Sequence, residues 1–282
     1  MKVMIIGSNG LLGTSLKEVF KNEHEVVALD NPEIDISNKA SVFNIVEHHR
    51  PDVIINSAAI NAVDLIENDE KMLKLAMSVN AEGVGIVAAA AKKNNAIVVH
   101  FSSDYVFKGD NKDGYIEDDA VDPVNKYGIT KAEGEKKLME NTDRYYLIRL
   151  SRLFGEPASA PGAKKSFVEK IIEKSVVEKE LSVVDDEFSS PTYSNDLADL
   201  VKMLLDKKME FGIYHGANSG ACSWYEFAGE IFRIKDIKTA LMPQKSLMND
   251  AKMAPRPKYS ELLNTKLPKQ RPWQEALAEY LN

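Results

Sequence analysis

Cysteine is almost missing from this chain: Cys222 is the one thiol among 282 residues. A single thiol forms no internal disulfide and no cysteine-based zinc site, which fits a reducing compartment. Cys222 itself reads as a small buried hydrophobe. Positive charge is also short. Thirty-six basic against 43 acidic residues leave a net charge of −7. No global field therefore draws the protein onto nucleic acid or an anionic membrane, and an anionic ligand needs a local basic site. Apolar runs are brief: Val3-Met4-Ile5-Ile6 stops at Gly7, far short of a signal-peptide core, and no stretch approaches the ~18 residues of a membrane span. These absences predict a cytoplasmic protein with no nucleic-acid or membrane partner. The five histidines include no pair four apart, and adjacent His48 and His49 point to different helix faces, so no metal is expected. The 15 glycines and 11 prolines are scattered, which excludes collagen-like and low-complexity chains.

What the chain does have is a rhythm. Its length suits about two domains, and the first half alternates short β-branched runs with longer helical patterns. Strands are predicted at Val3–Ile6, Val26–Leu29, Val53–Asn56, Ile97–Ser102 and Tyr146–Leu150. Helices are predicted at Leu11–Lys21, Lys39–His49, Met72–Asn94 and Tyr127–Glu140. Val53-Ile54-Ile55 is apolar on successive residues, as in strands buried on both faces. The class is therefore α/β, a Rossmann-like doubly wound parallel sheet with a smaller C-terminal α/β substrate domain. Residues 1–150 form the dinucleotide-binding part, later segments near 185–215 return to it, and 151–282 mainly bind substrate. Gly155 through Gly162 reads as a loop. A helix near Phe167–Lys179, a strand at Leu181–Val184, a helix at Asn195–Leu205 and a strand at Ile213–Tyr214 follow. From Pro243 onward, five prolines mark an extended end.

Three local patterns carry chemistry. Gly7-Ser8-Asn9-Gly10-Leu11-Leu12-Gly13 joins the first strand to a helix, and this glycine spacing lets backbone approach a pyrophosphate that rests on the helix N-terminus. Asp30 ends the second strand, where a carboxylate accepts hydrogen bonds from ribose hydroxyls and favours NADH. A nearby lysine still accommodates NADPH, and an acidic turn residue before Pro32 is the competing reading. Asp35-Ile36 borders the adenine side. Tyr127 and Lys131, four apart, share a helix face. There an ammonium is expected to lower the phenol pKa and make the tyrosine a general acid or base. Ser102-Ser103 ends an apolar strand at the sheet's carboxyl edge, where Ser103 can polarise a substrate carbonyl. Asn80, unfavourable inside a helix, is placed to link the lysine to water. The order of these signals is more specific than any one of them.

The chain resembles the extended short-chain dehydrogenase/reductase superfamily and, within it, the dTDP-4-dehydrorhamnose reductase family, over nearly its whole length. The shared features are Asp52 through Ser57-Ala58-Ala59, Ala62-Val63-Asp64 with Glu67, Ser102 through Phe107, Pro123 through Lys131, and Gly134-Glu135. Val184-Asp185-Asp186, Pro191-Thr192, Gly212 through His215, Ser223 through Ala228, Arg256-Pro257 and Trp273 extend it. The resemblance implies reduction of the C4 ketone of a dTDP-deoxysugar, with NADH or NADPH as cofactor. It gives Tyr127, Lys131 and Ser103 the roles of proton donor, ribose holder and ketone polariser. Cofactor contacts are expected from Gly7, Asn9, Gly10, Leu11, Gly13, Asp30, Asp35, Ile36, Ala58, Ala59, Asn80, Ser102 and Lys131. Substrate contacts are expected from Asp104, Tyr105, Val106, Arg152 and Arg256. A homodimer is within the family's range.

The sequence departs from the family where Ser103 replaces threonine, Arg152 a tryptophan, Ser166 an asparagine, Glu187 a glutamine, Ser189 a glycine, and Ile60-Asn61 an aromatic-threonine pair. Arg152 turns an apolar sugar-facing wall into a cation, so the sugar or its carrier can differ. Arg152 and Arg256 are both candidates for the diphosphate. Tyr105 stands where a related dehydratase has an acid, which argues against dehydration. A keto-sugar epimerase, another keto-sugar-nucleotide reductase and a non-catalytic dinucleotide-binding regulatory subunit, like the β subunit of methionine adenosyltransferase, stay open.

Overall fold

The runs that are apolar on successive residues form the centre of the computed structural model, which describes residues 1–159, 164–246 and 252–282. Strands β1 (Lys2–Ile6), β2 (Glu25–Leu29), β3 (Val53–Asn56), β4 (Ile97–Ser103) and β5 (Tyr145–Leu150) join the strand Gly212–His215 in one six-stranded sheet. The order is β2-β1-β3-β4-β5 with Gly212–His215 at the far edge, and every pair is parallel. Helices α1 (Leu11–Phe20), α2 (Lys39–His49), α3 (Val63–Asn68), α4 (Glu70–Met77), α5 (Gly83–Lys93) and α6 (Lys126–Asn141) connect them. Val3, Ile5, Val53, Ile55 and Val99 pack with Leu12, Leu16 and Phe20 of α1 and with helix Ser194–Asp206. Met4, Ile6, Ile54 and Val98 pack on the opposite face with Val42, Val84, Val87 and Leu138. Both faces are covered, as the unbroken apolar runs demand.

The strand order reverses between β1 and β3, and ligands of open α/β sheets bind at the carboxyl ends beside such a switch. Beyond β5, a second core gathers Phe154, Phe227, Ile231, Trp273 and Leu277. Around it lie helices Phe167–Val177, Trp224–Ile234 and Trp273–Leu281 and the parallel pair Glu180–Val184 and Ala240–Gln244. Phe188–Ser189 pairs between Cys222–Ser223 and Tyr259–Ser260, outside the large sheet, whereas Ser194–Asp206 and Gly212–His215 belong to the large sheet and its cover. Gly155 through Ser159 contains no helix or strand, and Ala160, Pro161 and Gly162 of the expected loop lie outside the described residues.

One expectation about apolar length fails. The helical stretch Glu70–Lys93 has 24 residues and a mean hydropathy of 1.3 over its most apolar window, enough by length and composition to cross a membrane. Its alanines and valines explain this. Val84, Val87, Ala88, Ala90 and Ala91 form the buried face that covers the sheet. Asp69 caps the start, accepting from the N–H groups of Lys71 and Met72. The stretch is also not one regular helix: a π-turn at Ser78–Glu82 separates α4 from α5.

Candidate active site

The turn after β1 is shaped by what its glycines omit. Gly7 has φ +79°, and a Cβ there would meet Ala58 N at 2.8 Å; a Cβ on Gly13 would meet Gly7 O at 2.2 Å. Strand end, turn and α1 are therefore closer than any side chain permits. The N-terminus of α1 at Gly10 has no side-chain cap, leaving its first N–H groups for an anion. The cradle fits a dinucleotide pyrophosphate. Asp30 secures it, accepting from Asn9 N at 2.9 Å and Asn31 N at 2.9 Å. Ser57 donates to the Ile6 and Gly7 carbonyls.

A cavity of about 630 Å³ opens from this turn along the carboxyl edge, within the usual range for small-molecule sites. Of the expected residues, Gly10, Leu11, Gly13, Ala58, Ala59, Ser102, Ser103, Asp104, Tyr105, Tyr127, Lys131 and Arg152 line it. Tyr127 and Lys131 do project from one face of α6. Asn125 starts that helix by accepting from Gly128 N at 2.8 Å. The Tyr127 hydroxyl lies beside that of Ser103. Ser103 donates to Asp104 Oδ1 at 3.0 Å and accepts from Tyr105 N at 3.2 Å. Ser151 and Ser260 donate to Asp104 Oδ2 at 3.0 and 2.7 Å. A carboxylate shut away from water is thus held by three hydroxyls. Asp104, expected on the substrate, lines the cavity and also orients Ser103.

Electrostatics overturn one expectation. Lys131 does not lower the pKa of Tyr127. Desolvation pushes the phenol up to about 12, with the Ser103 hydrogen bond opposing and the Asp104 charge adding to the rise. Lys131 is itself desolvated, which brings its pKa down to about 8 against the opposing charge of Glu135. Its Nζ donates to Phe101 O at 2.7 Å. One of the three ammonium donors is thus spent on main chain, and the phenol stays protonated at neutral pH.

Several expected contacts lie elsewhere. Asn80 is fully buried and does not reach Lys131. Its amide exchanges two 2.8 Å hydrogen bonds with the main chain of Ile60 and donates to Thr130 Oγ1 at 3.0 Å. It ties the loop after β3 to α6 at the π-turn, and Gly134 lets α6 close on it, since a Cβ would sit 2.1 Å from Asn80 O. Asp35 turns the chain by accepting from Ser37 N and Oγ. Ile36 is core beneath Gly83, and Val106 packs with Phe107, Tyr115 and Leu262. None of these lines the cavity, because apolar burial and turn formation have already used them. Gly7 and Asn9 belong to the turn itself and are not among the residues that line the cavity.

The two arginines are likewise engaged. Arg152 reaches the cavity wall, but its Nη1 and Nη2 donate to the carbonyls of Cys222 and Glu187 at 2.7 Å each, and its guanidinium stacks 3.9 Å from the Trp224 ring centre. Arg256 faces a second cavity of about 360 Å³. It grips Asp64 through Nη1–Oδ1 at 2.7 Å and Nη2–Oδ2 at 2.9 Å, so its fork is filled by a carboxylate of the same chain.

Sequence reading missed Ser57, Ser151, Ser260, Trp224 and Phe167 as parts of the site. A signal for the last two was present. Ser166-x-x-Glu169 and Ser223-x-x-Glu226 both close capping boxes, which fix Phe167 and Trp224 as first helical residues, and their rings meet at 4.6 Å on the cavity rim.

The sequence matches the family described as RmlD substrate binding domain over residues 1–282. It is 37% identical to the spore coat polysaccharide biosynthesis protein SpsK of Bacillus subtilis, covering 99% of this chain and 96% of that one. It is 37% identical to a dTDP-4-dehydrorhamnose reductase of Aggregatibacter actinomycetemcomitans, covering 82% and 78%. The structure of dTDP-4-dehydrorhamnose reductase from Bacillus anthracis in complex with NADP superposes with a TM-score of 0.92 at 35% identity, covering 99% and 98%.

Proposed function

The chain belongs to the RmlD substrate binding domain family, and with dTDP-4-dehydrorhamnose reductases among its relatives we propose that it reduces the C4 ketone of a dTDP-linked deoxysugar, dTDP-4-dehydro-L-rhamnose being the first candidate. The observation that carries this reading is the meeting of Ser103, Tyr127 and Lys131 in one cavity with a glycine cradle fit for a dinucleotide.

Bound in that cradle, NADH or NADPH supplies the hydride. The N–H groups of the first turn of α1 hold the pyrophosphate. Each Asp30 oxygen accepts one main-chain N–H and keeps a lone pair for a ribose hydroxyl. Lys131, between Phe101 O and the cavity, offers its other N–H donors to the nicotinamide ribose. Tyr127 would give its proton to the ketone oxygen. Ser103 turns its O–H from Asp104 to the same oxygen and stabilises the developing charge. Asp104 keeps Ser151 and Ser260 as donors to Oδ2, so the move gives up the one hydrogen bond at Oδ1 and leaves the carboxylate held by two. Serine lacks the β-branch that would stiffen this rotation.

The test is oxidation of NADPH or NADH on addition of dTDP-4-dehydrorhamnose. Turnover supports the reading. Tight cofactor binding without turnover of any keto-sugar nucleotide sinks it and favours the regulatory alternative.

A further inference from the structure

We propose that Lys164 holds the diphosphate of the substrate, with the sugar in the large cavity and the nucleoside in the smaller cavity beside it. This rests on the function proposed above and adds the placement of the other two thirds of the substrate. A sugar, a diphosphate and a nucleoside form a linear molecule. With its ketone at Tyr127 and Ser103, the remainder needs a second compartment that communicates with the first.

The cavity of about 360 Å³ is that compartment, because Tyr105, Lys164, Glu187 and Trp224 line both spaces. The diphosphate, between sugar and nucleoside, falls at the shared wall. Aromatic rings of Tyr105 and Trp224, with the Gln244 amide and the Ser246 hydroxyl, give the smaller space the stacking faces and hydrogen-bonding edges a nucleobase needs. Its Arg256–Asp64 pair is internally neutralised and suits an uncharged base.

Among the described cations, Lys164 is the one that lines both cavities, and it closes no salt bridge: the carboxylate that attracts it, Asp64, is gripped by Arg256. Its named contact is the Asn61 carbonyl at 3.5 Å, the outer limit of a hydrogen bond. Arg256 is filled by Asp64, Arg152 is turned to two carbonyls and Lys165 pairs with Glu173. Lys170 lines the large cavity alone.

The experiment measures binding of dTDP, thymidine and NADPH to the full chain by calorimetry. Lys164→Gln should weaken dTDP by about 10- to 100-fold, the loss of one charge-assisted contact, and leave thymidine and NADPH within twofold of the parent. Lys164→Arg should restore most of the dTDP affinity, and Lys165→Gln should change nothing. Retained NADPH binding shows that the variant is folded. Unchanged dTDP affinity in Lys164→Gln, an equal loss for thymidine, a loss for NADPH instead, or failure of the parent to bind dTDP would each overturn the proposal. Absence of turnover with a keto sugar would overturn the reductase reading while leaving the dTDP comparison to stand or fall separately.

Discussion

Replacing Lys131 by methionine should make the cofactor-free protein more stable at pH 7 while abolishing turnover. The side chain is 2% exposed, and burial brings its pKa from 10.5 to about 8. That fall of about 2.5 units corresponds to about 3.4 kcal/mol at 1.36 kcal/mol per unit, the cost of keeping the ammonium charged inside the fold. Methionine has nearly the same length and removes this cost. It also leaves Phe101 O without its 2.7 Å donor, a loss of about 1 kcal/mol. The net expectation is a gain of about 2 kcal/mol. The pH dependence gives the sharper check. Between pH 8 and 10.5 the unfolded lysine binds a proton that the folded one has released, so stability of the parent rises with pH across this window. The methionine variant lacks that rise. Its advantage should be full below pH 8 and close by pH 10.5. Urea midpoints for both proteins at pH 7, 9 and 10.5 measure this. A variant less stable at pH 7, or a difference that does not narrow with pH, would refute the claim that Lys131 is held charged against its desolvation.

Tyr127→Phe removes the transferable proton and keeps the ring that meets Tyr105 at 5.5 Å; turnover should drop by about two to four orders of magnitude with NADPH affinity nearly unchanged, and equal losses in both would assign Tyr127 a structural role. Gly13→Ala places a Cβ 2.2 Å from Gly7 O. It should destabilise by about 1–3 kcal/mol and weaken NADPH about tenfold or more, measured by thermal unfolding and calorimetry; a silent variant would show that the turn has slack. Arg149→Met strands Glu135, whose carboxylate now takes two hydrogen bonds at 3.0 and 2.8 Å with both side chains 3% exposed. The single change should cost about 3–5 kcal/mol, and Glu135→Leu added to it should recover at least half, so simple additivity in denaturant unfolding would count against a coupled pair.

How far the sequence could be read depended on the range of the interactions involved. Strands such as Val53–Asn56 were legible because burial on both faces leaves no polar alternation, and the glycine turn because close backbone approach requires that spacing. Helices capped by a local device were legible in principle through Ser166-x-x-Glu169 and Ser223-x-x-Glu226. The partners of Asp104 were not. Its three hydroxyl donors stand at positions 103, 151 and 260, brought together only by the pairing of strands from both halves of the chain. Arg256 illustrates the same limit. An arginine in an acidic chain reads as a free anion receptor until the fold sets Asp64, 192 residues earlier in sequence, in its fork. The lysine–tyrosine pair failed differently: spacing gave the shared helix face correctly, but the direction of the phenol pKa depends on desolvation, which four-residue spacing does not encode.

That reversal bears on the direction of the chemistry. Oxidation of an alcohol needs a base at Tyr127, and a phenol pushed up to about 12 by desolvation and by the Asp104 charge is a poor one at neutral pH. Reduction needs an acid there, and the phenol holds its proton at neutral pH before substrate arrives; the same rise weakens it as a donor, so the developing oxyanion depends on the Ser103 hydroxyl beside it.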